Sequence, residues 1–290
     1  MNLNTIIGII GGDSRQLHMA VRLQKNGYKV RLTGFDLAQL PKGLQNYTLS
    51  DIFSDCGILI LPLPVSRDEK TLNASFADNS IALQTLIQEI PPETHVLCGM
   101  PPQFFKKTLE AKHCKVSDYF SRDDLTLQNA LLTAEGIIGI MTEQLPCTVF
   151  GLPCAITGYG RVAKYTARAL QALGAKVTVF ARDPLAVIQA QTDLLDAKPL
   201  SLLKKDIHRF SCIINTVPSP IITKDILTSA DGECVLIEVA SAPFGIDANA
   251  AKECGMKLIK GVSLPGKTAP KTAGEIIAAT IDKMLTEGST

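Results

Sequence analysis

CAITGYGRVAKYTARALQALGAKVTVFARD, residues 154–183, is the stretch whose reading decides the fold. It opens on a short apolar run, turns through Gly158, Tyr159 and Gly160, and continues into a segment whose Val162, Ala169, Leu170 and Leu173 recur at helical spacing. Gly174 ends that helix, and residues 177–181 read as the next strand. Each small residue answers a steric demand. Gly158 allows the tight exit from the strand, Gly160 lets backbone approach a pyrophosphate without a Cβ in the way, and Ala163 lets the helix lie close on the sheet. The helix start at Arg161 and Val162 then aims free N–H groups and the positive end of the dipole at the phosphates. Strand, turn, helix and strand follow in the required order within about thirty residues, so the segment reads as a dinucleotide-binding unit.

Which dinucleotide depends on the end of the second strand, where NAD sites place an acid on the ribose and NADP sites an Arg on the 2′-phosphate. Ala181 stands where the acid is expected and Arg182 follows, which favours NADP. The alternative gives the ribose to Asp183 and leaves Arg182 to solvent.

Working outward, 290 residues with 46% hydrophobic content can build a large core and suit two domains better than one. The 29 basic and 28 acidic residues are well mixed, which argues against nucleic acid or an acidic membrane surface as a partner. Eight cysteines occur singly, several inside apolar runs (Cys56, Cys98, Cys212, Cys234), with no metal-ligand spacing, as expected of a reducing compartment. Thr5 begins a strand at once, without a signal peptide, and no apolar run reaches membrane-spanning length, so a cytoplasmic protein with no metal is expected.

The N-terminal part echoes the opening stretch. LQKNGYKV at 23–30 lies against LQALGAKV at 170–177 in the register that sets Gly11 on Gly158. Strand ends at Pro62 and Pro64 answer Pro218 and Pro220, and HVLCGMP at 95–101 resembles VLIEVASAP at 235–243. Two doubly wound, Rossmann-like parallel-sheet α/β domains with a cleft between them follow. The same register sets Asp13 on Gly160, so a dinucleotide at the first domain would meet a clash and like charge; its crevice is left for substrate. Between the halves, a helix opened by Asp123 or Asp124 carries an apolar stripe of Leu127, Leu131, Ala134, Ile138 and Met141. With a last helix over 271–285 it forms a pair of hinge helices. The substrate domain is expected at 1–145 plus 272–290 and the NADP domain at 146–271.

The strand ends of the second domain offer Thr216, Val217 and Pro218, then Val239 and Ala240, and a shaped loop near the nicotinamide containing Pro265, Gly266 and Lys267. Those of the first offer Asp13, Arg15, Ser66 and Arg67, the two Arg being fork-shaped donors suited to carboxylates. No histidine follows His208, which excludes the late acid/base His of a 2-hydroxy acid dehydrogenase; His18 is a candidate for the cleft.

The segments IIGGDSRQ, ILPLPVSRD, ITGYGRVAKYTARALQALGAKVTVFARDP and above all GVSLPGKTAPKTAGEI resemble the A subunits of dipicolinate synthase over essentially the whole chain. That resemblance implies oxidation of dihydrodipicolinate to dipicolinate with NADP during spore formation, in the mother-cell cytoplasm. It also implies a partner, the flavoprotein-like B subunit, and an oligomer is expected. The dicarboxylate substrate calls for Arg15, Arg67, Ser66 or Lys267 as clamps, with Glu135, Asp13 or a water as base. Another two-domain amino- or imino-acid dehydrogenase, or a non-catalytic NADP-binding subunit, fits the same fold.

Overall fold

Short runs of β-branched residues, closed by Gly, Pro or a polar turn, become strands buried on both faces, the pattern of a parallel sheet covered by helices. The computed structural model describes residues 6–287; Thr5 and both chain ends lie outside them. Packing divides the chain into two compact units, one reaching to Gln128 and resuming at Ala269, the other running from Asn129 to Thr268.

In the first unit β1 (Ile6–Ile10), β2 (Lys29–Thr33), β3 (Ile58–Ile60), β4 (His95–Cys98) and β5 (Lys115–Asp118) form one parallel sheet in the order β2-β1-β3-β4-β5. Alternation sends Ile58 and Ile60 to one face and Leu59 and Leu61 to the other. The first face is covered by the helices Ser14–Lys25 and Pro270–Glu287, through Met19, Leu23, Ile277 and Ile281.

The second unit carries β6 (Pro153–Thr157), β7 (Lys176–Ala181), β8 (Asp196–Pro199), β9 (Cys212–Asn215), β10 (Val235–Glu238) and β11 (Leu258–Lys260), all parallel. Their order, β11-β10-β9-β6-β7-β8, reverses direction at β6. Each sheet therefore has a switch point: beyond β1 and β3 in the first, beyond β6 and β9 in the second. Ligands of doubly wound folds bind in that crevice.

Three expectations change. The helix Asp123–Gln144 forms, but Leu127 and Leu131 are 42% and 44% exposed, while Leu125, Ala130, Leu132, Ile137 and Met141 are buried. Of the expected stripe, Ala134 and Met141 are buried and Ile138 packs partly on the core, so periodicity chose the right face in the second half of the helix and the wrong one in the first. The boundary between units falls inside this helix, after Gln128, where a boundary at 145 assigned it whole to the first domain. The shaped loop at 264–270 is in fact a helical turn, Leu264–Thr268, with the Thr268 hydroxyl bonded to the Leu264 carbonyl at 2.8 Å. Among the described residues no helix is long and apolar enough to cross a membrane, and no His/Cys/Asp/Glu group could hold a metal.

Candidate functional site

At the second switch point the chain leaves β6 through Gly158 (φ 86°), whose N–H donates to the Phe180 carbonyl at 2.8 Å. A Cβ there would lie 2.8 Å from Val217 Cγ2, so the turn demands Gly for space as well as for φ. Gly160 then caps the helix Arg161–Ala172 with no side-chain bond, and a Cβ on it would meet nothing within 4 Å. An uncapped helix start facing open space is what a phosphate requires. Ala163 and Ala167 are fully buried against the sheet, which brings the helix close enough to present that end.

The Tyr159 side chain does not share this work. Its ring is buried in the core, and its hydroxyl donates to Asp193 Oδ2 at 2.6 Å, beyond the helix Pro184–Thr192. Burial, reinforced by that bond, pushes its phenol well above the ordinary range, so it stays neutral. Val162 packs partly on the core and Arg161 is exposed.

At the end of β7, Ala181 is buried and Arg182 exposed, with no partner among the described residues. Asp183 is already used: its Oδ1 accepts from Leu185 N–H at 2.9 Å as the cap of the next helix. Thr216 donates its hydroxyl to the Thr157 carbonyl at 2.7 Å, which joins the turns after β6 and β9, and Pro218 is exposed beyond them. Val239 is half-buried, Ala240 and Pro265 are buried, and Gly266 is half-buried.

The first unit repeats the plan with one end closed. Asp13 caps the helix Ser14–Lys25 in a capping box with Gln16. The Arg15 guanidinium, 5% exposed, grips that carboxylate through Nε and Nη2 (2.9 and 2.8 Å) and donates to the Leu63 carbonyl at 2.6 Å. Arg15 is thus a strut between the ends of β1 and β3, and Asp13 sits where a phosphate would go. The segment after β3 also folds over the turn: Ser75 N–H bonds the Gly12 carbonyl at 2.9 Å, and a Cβ on Gly11 would strike Leu72 and Ala74. The crevice expected to be left for substrate is lined by the chain itself at this point.

Ser66 donates to Asp68 Oδ1 at 3.0 Å, and Arg67 is exposed. Thr71 and Lys70 N–H groups hold the Asp68 carboxyl well below the usual carboxylate range. Glu135 and Lys267 are exposed side chains of the second unit. His18 lies toward the helix Pro270–Glu287, its Cβ 2.8 Å from a Cβ built on Gly274.

One group escaped notice in the sequence: Glu238, 1% exposed at the end of β10, with the fully buried Asn215 and Thr157 beside it. A lone acid inside VLIEVA, an otherwise apolar parallel strand, was the signal available.

Comparison with known proteins agrees with both units. The family model of the N-terminal domain of dipicolinate synthase A subunits matches residues 6–120, and that of the S-adenosyl-L-homocysteine hydrolase NAD binding domain matches residues 133–265. The A subunit of dipicolinate synthase from Bacillus subtilis (strain 168) is 30% identical over 286 residues, 97% of this chain and 96% of that protein. The crystal structure of the corresponding A subunit from Bacillus halodurans superposes with a TM-score of 0.89 at 28% identity, covering 97% of this chain and 98% of that one. A transhydrogenase from Sinorhizobium meliloti shares the fold alone, with a TM-score of 0.70 at 16% identity over 96% and 93% of the chains.

Proposed function

The chain belongs to the family of dipicolinate synthase A subunits, and on that premise we propose that it is the dehydrogenase subunit that oxidises dihydrodipicolinate to dipicolinate with NADP. It works with a flavoprotein-like B subunit in the mother-cell cytoplasm of a spore-forming bacterium. The carrying observation is the contrast between two equivalent helices: Asp13 caps one with the chain's own carboxylate, and Gly160 leaves the other bare.

The turn at Gly158 brings the backbone N–H groups of Tyr159 through Val162 to the pyrophosphate, and Arg182 holds the 2′-phosphate, since Asp183 is committed to its helix. Thr216, Val217, Pro218, Val239, Ala240, Pro265 and Gly266 line the other half of the site. When bound, the nicotinamide supplies the hydride acceptor. The substrate gives up one hydride and one proton and becomes an aromatic pyridine ring, so the chain needs chiefly to position it.

The exposed Arg67 guanidinium suits the substrate carboxylates, with Ser66 beside it. Arg15 acts through the strut that fixes this strand end. Asp13 is engaged by Arg15, which leaves the exposed Glu135 or a water as the base to test, with the exposed Lys267 as a further clamp on the substrate carboxylates.

The decisive measurement mixes this chain, NADP and freshly generated dihydrodipicolinate, with and without the B subunit, and follows absorbance in the NADPH band. NADPH should form, and dipicolinate should accumulate in equal amount. Tight NADP binding with no NADPH under either condition would make the chain a non-catalytic cofactor-binding subunit.

A further inference from the structure

Glu238 ends β10 as a buried carboxylate with no countercharge. Its Oε1 accepts from Asn215 Nδ2 at 2.7 Å and from Ala240 N–H at 3.0 Å; its Oε2 accepts from the Gly245 and Ile246 N–H groups, each at 2.8 Å. All four partners donate, and together they occupy the four lone-pair sites that a carboxylate offers. No ion pair to it exists among the described residues. An anion taken out of water and met only by dipoles is incompletely compensated, and a positive ligand nearby would complete it.

The same carboxylate ties the strand ends together. Asn215 closes β9, accepts the Thr157 hydroxyl from the end of β6 at 2.6 Å, and donates to the Val217 carbonyl at 3.0 Å as well as to Glu238. Residues 239–246 wrap around Glu238 so tightly that a Cβ on Gly245 would lie 2.4 Å from Asn215 Nδ2 and 2.6 Å from the Val217 carbonyl oxygen. Strands β9 to β11 form one mononucleotide half of the sheet, and Arg182 stands on the other, at the end of β7. With the phosphorylated ribose at Arg182, the Glu238 half takes the nicotinamide.

We propose that Glu238 is a positioning residue whose buried charge sets the site's preference for the oxidised, positively charged nicotinamide over the reduced, neutral one. This rests on the reading of the second unit as an NADP site. A carboxylate so placed favours loading with NADP and release of NADPH, the order that oxidation requires.

The test is equilibrium titration of wild type, Glu238→Gln and Glu238→Asp with NADP and with NADPH, beside the melting temperature of each apoprotein. Wild type should bind NADP at least as tightly as NADPH; a wild type that holds NADPH about tenfold tighter overturns the proposal without any variant. Glu238→Gln removes the charge and sets an amide N–H against donors. Beyond any loss common to both ligands, the affinity ratio of NADP to NADPH should fall on the order of tenfold, the scale of one screened charge. Glu238→Asp keeps the charge but shortens the reach, so both affinities should fall together with the ratio within about twofold of wild type. An unchanged ratio in Glu238→Gln, or a shift in Glu238→Asp beyond that limit, would reduce Glu238 to a scaffold role. A wild type that bound neither form would overturn the cofactor reading itself, and this proposal with it.

Discussion

Asp13 and Gly160 hold the same position, the cap of the first helix in each unit, and differ by one carboxymethyl group. At that point a helix offers several unpaired N–H groups and a positive dipole end. Asp13 satisfies them internally and is itself neutralised by Arg15; Gly160 leaves them to a ligand. Arg182 is the second such residue, an exposed guanidinium beside an acid already spent on capping. Arg182→Asp should weaken NADP by about tenfold to a hundredfold, the value of a charge-assisted bond to phosphate, and leave NAD nearly unchanged. Equal losses in fluorescence titrations with the two cofactors would take Arg182 off the 2′-phosphate. The Gly turn was legible in the sequence because its geometry is local and follows from spacing; the role of Arg182 is a proposal that the titration decides. Arg15 and Tyr159 were not legible: their partners, Leu63 and Asp193, lie 48 and 34 positions away, and no pattern in the sequence encodes such bonds.

Among elements, the crossing of Ser14–Lys25 with Pro270–Glu287 shows how close packing reverses an intrinsic preference. Replacing a helical Gly by Ala normally gains up to about 1 kcal/mol. At Gly274 the new Cβ would lie 2.3 Å from the Arg15 carbonyl oxygen and 2.9 Å from Met19 N, backbone that cannot swing aside. Gly274→Ala should therefore lose about 2–3 kcal/mol net, whereas Gly139→Ala, with nothing within 4 Å, should gain up to about 1 kcal/mol. Urea unfolding of both variants checks this, and a stabilised Gly274→Ala would refute the crossing. The second of these helices also carries a pH-dependent tie. Tyr28 donates to Asp282 Oδ1 at 2.5 Å, and burial first, then that bond, raises its phenol from 10.0 to about 12. The folded chain keeps a proton that the unfolded chain releases near pH 10. This contribution is whole below that pH and is lost as pH rises toward 12. The melting temperature of wild type should drop more steeply than that of Tyr28→Phe across this window, and parallel curves would discard the tie. The helix over 123–144 was legible as a helix and, at Ala134, Ile138 and Met141, in its packed face; at Leu127 and Leu131 it was not, because a sequence apolar on most sides does not say which stripe packing will claim.

For the molecule as a whole, the sequence echo reached the strand order. Both sheets run outward from a first strand at the switch point, and the second adds β8 at its edge. Their cores also draw on separate sets of residues. Every residue of the two clusters that flank β6 to β11 comes from between Ile137 and Leu264, including Ile137 and Met141 of the long helix. The first unit, by contrast, needs Ile277, Ala278, Ile281 and Leu285 from the far end of the chain to cover Ile7, Ile9 and Met19. A unit that is continuous in sequence and owns its core should fold alone, and one assembled from two segments should not. A protein consisting of residues 129–268 should therefore melt cooperatively and bind NADP within about threefold of the full chain, since all the proposed cofactor groups are in it. Residues 1–128 without the closing helix should expose the face that Ile277 and Ile281 cover and fail to fold cooperatively. Circular dichroism melts and NADP titrations of the two pieces decide the matter. If the 129–268 piece folded yet lost NADP, the cofactor site would require groups from the first unit, and the division of labour proposed between the units would be wrong.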